Sequence, residues 1–148
     1  MSDEPLELAL RALGQKERST AELMRWLAER GVSEEDVAAT VDRLVEIGEL
    51  DDARFARRYA EDKRELAGWG AERIRESLIA RGVEPEHIEV AMAADEEPDQ
   101  VVRAAALLAR RASPVDSDSG RARALGYLTR KGYTYEVAHE AIRAYERG

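Results

Sequence analysis

The sequence runs to 148 residues, of which 44% are hydrophobic, 5% aromatic and 36% charged, with a formal net charge of −8 and no cysteine. That length suits one ordinary domain or a short repeat array, and the scarcity of aromatic rings leaves Leu, Val, Ile and Ala to fill the core. The lack of cysteine excludes disulfides and thiolate metal sites. No apolar run approaches the roughly 18 residues of a membrane span, and Met1-Ser2-Asp3-Glu4-Pro5 lacks the basic start of a secretion signal, so a cytoplasmic protein is expected.

Helical periodicity runs through the chain and strand alternation is found nowhere. Leu6, Leu10 and Leu13 begin an apolar stripe that ends near Gly14. Ser19 with Glu22 forms a capping box for a second helix, with Leu23, Trp26 and Leu27 on one face and Gly31 as its stop. Ser33 caps a third, whose first turn, Glu34-Glu35-Asp36, places acids where the helix dipole favours them. Its core face reads Val37, Val41, Leu44 and Val45, and Gly48 ends it. Asp51 or Asp52 caps a fourth helix with Phe55 and Tyr59 at i, i+4, broken by Gly68-Trp69-Gly70. A fifth spans residues 71–81 through Ile74 and Leu78, and Gly82 ends it. Pro85 sits in the first turn of a sixth, with Ile88 and Met92. Pro98 opens a seventh through Val101, Val102, Ala105 and Leu108. Residues 113–120 are dense in turn formers and read as a loop. An eighth helix carries Leu125 and Leu128 and stops at Gly132. Thr134 caps a ninth with Val137, Ala141, Ile142 and Tyr145.

So many helices in so short a chain call for a search for repeats, and one is present. Leu27-Ala-Glu-Arg-Gly31-Val32 matches Leu78-Ile-Ala-Arg-Gly82-Val83 and Leu128-Thr-Arg-Lys-Gly132-Tyr133, with the glycines 51 and 50 residues apart. Ten residues after each glycine stands an apolar residue: Val41, Met92 and Ile142. The expected fold is all-α, an elongated tandem array of three three-helix repeats, about nine helices in all, divided as residues 1–50, 51–97 and 98–148. Such an array packs each unit on its neighbours and offers a long surface in place of a deep pocket.

Catalytic constellations are missing from the sequence. His87 and His139 lie far apart without metal-ligand spacing. Asp116-Ser-Asp118-Ser-Gly120 departs from a calcium loop, because Tyr127 stands where a bidentate Glu is needed. Gly68-Trp69-Gly70 is not followed by the residues of a phosphate loop, and Asp95-Glu96-Glu97 with Asp99 reads as a solvated linker. No catalytic residue, metal or cofactor is expected. Charge is distributed unevenly: residues 1–50 carry 6 basic and 12 acidic side chains, residues 51–100 carry 8 and 14, and residues 101–148 carry 9 and 5. The basic side chains are candidates for contact with a polyanionic or acidic partner. They are Arg54, Arg57, Arg58, Lys63 and Arg64 on the fourth helix, Arg73 and Arg75 on the fifth, and Arg110, Arg111, Arg121, Arg123, Arg130 and Lys131 beyond it. Arginines outnumber lysines 20 to 3, which favours bidentate contacts to phosphate or carboxylate. On the fourth helix, Arg57–Glu61 and Arg58–Asp62 are i, i+4 pairs that would partly neutralise the group.

These residues resemble a known family, the RecX regulatory proteins. The most telling stretch is Gly48-Glu-Leu50-Asp51-Asp52-Ala-Arg54-Phe55-Ala-Arg57-Arg58-Tyr59. Gly68-Trp69-Gly70-Ala-Glu-Arg73-Ile74-Arg75-Glu-Ser-Leu78 and Arg81-Gly82-Val83 follow in the family's order, and Ser19-Thr-Ala-Glu22-Leu23 and Leu128-Thr-Arg-Lys131-Gly132-Tyr133 fit at either end. The resemblance implies a non-enzymatic modulator of the RecA recombinase. Such a protein lies along the RecA–single-stranded DNA filament and restrains filament growth, ATP hydrolysis and strand exchange, with effects on recombination, DNA repair and the SOS response. The partners so implied are the RecA filament and the single-stranded DNA within it. No membrane is involved, and the protein would act as a monomer. Family members are often more basic than this chain, which favours contact with the protein filament over free DNA. Two other readings compete. A helix-turn-helix-like DNA-binding protein fits the glycine-turned helix pairs, but Glu34-Glu35-Asp36 and Glu84-Pro85-Glu86 put acids where phosphate contact needs cations. A helical scaffold for some other protein is the second.

Overall fold

The computed structural model describes residues 4–148, and the Met1-Ser2-Asp3 start read above lies outside them. The described residues form nine helices and no strand. In order these are α1 (Glu4–Gln15), α2 (Thr20–Glu29), α3 (Glu34–Glu46), α4 (Asp52–Glu65), α5 (Ala71–Ala80), α6 (Pro85–Met92), α7 (Glu97–Arg111), α8 (Asp118–Lys131) and α9 (Tyr135–Glu146). Local chemistry sets most of their ends. Ser19 Oγ accepts from Glu22 N while a Glu22 carboxylate oxygen accepts from Ser19 N, which closes the capping box. The side chains of Ser33, Asp51, Ser117 and Thr134 likewise accept backbone N–H bonds at the starts of α3, α4, α8 and α9. Three boundaries move, the first by one residue, with α5 ending at Ala80. Glu97, not Pro98, opens α7, and α8 begins at Asp118, inside the stretch read as loop.

The repeated Leu-Xaa-Xaa-Xaa-Gly signal is a helix stop built the same way three times. Leu27, Leu78 and Leu128 carbonyls accept from the N–H of Val32, Val83 and Tyr133. The turn between passes through Gly31, Gly82 and Gly132 at φ +83°, +81° and +107°, a backbone conformation that costs glycine little. The same three leucines are fully buried, each in a different hydrophobic cluster. The first cluster joins Leu27 to Leu23, Val41 and Leu44. The second joins Leu78 to Phe55, Ile74 and Met92, and the third joins Leu128 to Leu108, Tyr133 and Ile142. Each is gathered from three consecutive helices, α1–α3, α4–α6 and α7–α9, called units here.

Several expected core positions face water instead. Leu10, Val45 and Val102 are exposed. In α1 the fully buried residues are Ala9 and Ala12, so small side chains let this helix approach closely and the leucines flank the contact.

Neighbouring units meet through one recurring joint. In each, the first turn of a unit's middle helix abuts the glycine stop of the next unit's middle helix. Between the first and second units, Ser19 Oγ donates to Arg81 O (2.6 Å), and Thr20 N and Oγ1 donate to Asp52 Oδ1 (2.8 and 3.0 Å). Between the second and third, Gly70 N donates to Lys131 O (2.8 Å) and Glu72 N to Gly132 O (3.0 Å). The second joint leaves no room for a side chain: a Cβ on Gly70 would lie 2.4 Å from the Gly132 carbonyl.

Candidate partner-binding surface

The joints consume several of the charges. At the first, the Arg81 guanidinium forms two 3.0 Å bonds to the Glu22 carboxylate. It also lies 4.8 and 5.0 Å from the Phe55 and Tyr59 ring centroids. Burial opposes ionisation of Glu22. The bonds from Arg81 and from Ser19 N outweigh it and hold the carboxyl below its ordinary value of 4.5. A depressed carboxylate contributes stability above its unfolded-state pKa and loses it as pH falls through the folded value. The first joint is therefore expected to loosen below about pH 4.5. Glu22→Gln should flatten that acid limb in a pH-resolved melting series, and an unchanged limb would remove Glu22 from the account.

At the second joint, Arg103 donates to both Asp95 carboxylate oxygens (3.0 and 3.0 Å) and to Trp69 O (3.3 and 3.2 Å), while Tyr133 Oη donates to Gly68 O (2.8 Å). Arg64 reaches the same carboxylate at 3.5 Å. Asp95, read from the sequence as part of a solvated linker, is thus a buried anion between two cations. The fold brings it Arg64 from 31 residues upstream and Arg103 from 8 residues downstream, which no local pattern shows. Glu96, Glu97 and Asp99 are exposed as expected.

The thirteen basic candidates divide by what they touch. Arg58 pairs with Glu17, Arg64 with Asp95, Arg75 with Glu72 and Glu89, and Arg121 with Asp118 and Glu146. Arg54 donates to Gly48 O and Glu49 O. The expected neutralisation of the fourth helix along its own length does not occur. Arg58 instead turns to Glu17 in the neighbouring unit, and Arg57 is exposed and unpaired. Arg110 is also exposed and unpaired. Lys131, expected on the open surface, is half-buried and donates to Ala67 O across the second joint (3.1 Å).

The remaining candidates converge with two aromatic rings. Lys63 Nζ and the Arg73 guanidinium lie 4.6 and 4.0 Å from the Trp69 ring centroid. Arg73 reaches the carbonyl of Arg130 (3.5 Å). Lys131 Nζ and the Arg111 guanidinium lie 6.0 and 3.8 Å from the Tyr127 centroid, and Arg111, Tyr127 and Arg123 line one shallow hollow. A strip of six cations and two rings therefore crosses the joint between the second and third units. Among the described residues, none of the six is ion-paired. Such unopposed cations can bind phosphate or carboxylate without first breaking an internal pair. Among the described residues there is also no group of His, Cys, Asp and Glu that could hold a metal, and no helix long and apolar enough to cross a membrane.

Two family models match the chain, RecX first three-helix domain over residues 6–44 and RecX second three-helix domain over residues 51–92. The regulatory protein RecX of Chromohalobacter salexigens is 37% identical over 96% of this chain and 93% of its own length. That of Mycolicibacterium vanbaalenii is 32% identical over 93% and 79%. The chain belongs to the RecX family. A crystal structure of RecX from Lactobacillus salivarius superposes with a TM-score of 0.89 at 19% identity, covering 99% of this chain and 97% of that one, so the all-helical RecX fold is shared end to end.

Within this RecX-family chain the two matched domains coincide with the helices of the first and second units. Four positions of the stretch that carries the family resemblance have structural work. Leu50 is buried in the first cluster, Asp51 caps α4, Asp52 ties α4 to Thr20, and Phe55 lies in the second cluster beneath Arg81. Arg81 and Arg103, both central to the joints, were not among the sequence candidates. Arg81 had a readable signal, since it precedes the recurring glycine just as Arg30 and Lys131 do. Arg103 had a fainter one, standing 51 residues after Asp52 and performing the equivalent joint contact with the opposite charge.

Proposed function

We propose that this protein binds the filament formed by RecA on single-stranded DNA and restrains its growth, ATP hydrolysis and strand exchange, thereby damping recombination, DNA repair and the SOS response. The observation that carries the reading is the unpaired basic strip across the second joint of a RecX-family chain. A DNA-loaded filament presents phosphates and acidic protein surface. Each Lys or Arg that meets a phosphate releases condensed counterions, which favours binding. A chain of net −8 is repelled by that surface unless it presents its positive region, so Lys63, Arg73, Arg111, Arg123, Arg130 and Lys131 are the assigned contacts. Arg57 and Arg110 are additional exposed cations available to the same partner. The protein acts as a monomer in the cytoplasm, by occupancy rather than chemistry. A repeat array with shared joints lays several such contacts along a periodic partner at once.

The acidic first turns of α3 and α6 argue against insertion into a DNA groove as the mode of action. Substoichiometric protein is expected to slow ATP hydrolysis by RecA on single-stranded DNA. An unchanged rate with a cognate RecA and excess protein would leave the helical scaffold for another partner as the better reading.

A further inference from the structure

A second surface of opposite character lies on the other joint. Between the first and second units, α2, the end of α3, the start of α4 and the α5–α6 turn enclose a groove of about 470 Å³. Its apolar lining includes Leu50, Met24 and Val45, the last two being 41% and 53% exposed. Its acidic lining is Asp51, Asp52 and Glu84, His87 stands at its α6 side, and no Lys or Arg contributes to it. Asp51 and Asp52 each commit one carboxylate oxygen to the fold, Asp51 to Arg54 N and Asp52 to Thr20. The second oxygen of each, and the whole Glu84 carboxylate, have no hydrogen-bond partner among the described residues. The nearby Arg54 guanidinium is spent on the Gly48 and Glu49 carbonyls.

Three carboxylates around an apolar floor, with no lysine or arginine beside them in the lining, set the chemistry of what fits. We propose that this groove docks a protein segment carrying an arginine or lysine on an apolar stretch. The aliphatic stem of the side chain covers Met24 and Val45, and its charged head meets the free oxygens of Asp51, Asp52 and Glu84. A nucleic acid is excluded by the sign of the charge. Burying a long cationic side chain together with exposed methionine and valine is how interface pockets gain both affinity and orientation. The groove thus gives the Leu50-Asp51-Asp52 motif a recognition role beside its structural one. This inference stands apart from the filament reading, because its ligand is a basic protein segment and its residues are not those of the strip.

The test uses a twelve-residue amphipathic peptide of leucine, alanine and arginine, and a counterpart with every arginine replaced by glutamate. The isotope-labelled full chain is titrated with each and followed by amide NMR. The arginine peptide is expected to shift Met24, Val45, Leu50 and Asp52 saturably, and the glutamate peptide is expected to leave them in place. Val45→Lys and Glu84→Lys change exposed positions, so circular dichroism should match the parent, while each should weaken the arginine peptide at least tenfold. Shifts of equal size at Glu34-Glu35-Asp36 would mean generic attraction to acids and would overturn the proposal. So would the absence of saturable shifts, or undiminished binding by both variants.

Discussion

Leu128→Ala is expected to destabilise the third unit by about 2–5 kcal/mol, and Leu78→Ala and Leu27→Ala to do the same to the second and first. Each leucine is fully buried, and each sits where a helix is ending, so truncation opens a cavity beside a fixed backbone turn that cannot collapse into it. Because the three belong to separate clusters, their effects should be local first. Hydrogen exchange in Leu128→Ala should accelerate across α7–α9 ahead of α1–α3, and Leu27→Ala should show the reverse. The double variant Leu27→Ala/Leu128→Ala should lose about the sum of the single losses, to within roughly 0.5 kcal/mol, since the sites share no partner. Uniform acceleration in both single variants would mean one undivided core.

Asp95→Ala is expected to cost about 3–5 kcal/mol, comparable to a core leucine, although the residue is charged. The carboxylate side chain is 2% exposed and holds two guanidiniums that are each 16% exposed. Removing it leaves two largely desolvated cations facing one another, and leaves the buried Arg64 Nε, which has no hydrogen bond of its own, without its counter-charge. The damage should centre on the second joint, because Arg103 also holds the Trp69 carbonyl. Replacing all three charges with apolar residues should be far milder than removing the anion alone, as the desolvation cost then disappears with the charges. Chemical denaturation of the single and triple variants reads this directly. A loss under about 1 kcal/mol for Asp95→Ala would show that water reaches the site.

The fold was legible in the sequence wherever its cause is local. A serine or aspartate cap, a glycine stop and a leucine four residues before it act within one turn, and their recurrence every 50 or 51 residues carried the three-unit pattern. Legibility failed where the cause is distant. Val45 and Leu10 have the period of core residues, but the packing partner approaches the neighbouring face of each helix. Asp95 looks like one acid in a solvated run because Arg64 and Arg103 are brought to it only by the fold. The basic candidates were a mixture for the same reason. Arg75 and Arg121 have carboxylates three residues away that could be read, whereas the Glu17 that takes Arg58 lies in another unit. The grouping of Arg73, Arg130, Arg111 and Arg123 around Trp69 and Tyr127 depends on how two units are joined.

The measurement that bears most directly on the functional account is binding of the labelled protein to a RecA filament on single-stranded DNA, repeated over a range of salt. One variant reverses four exposed strip residues, Arg73→Glu, Arg111→Glu, Arg123→Glu and Arg130→Glu. A control reverses four exposed acids of the first unit, Glu34→Lys, Glu35→Lys, Asp42→Lys and Glu46→Lys. Melting curves check that both remain folded. The account predicts that the strip variant loses at least tenfold in affinity and that its dependence on salt flattens by about one unit of slope per phosphate contact removed. The acid-reversed control should bind as well as the parent or more tightly. A strip variant that binds like the parent, with the same salt slope, would contradict the assignment of this surface to the filament.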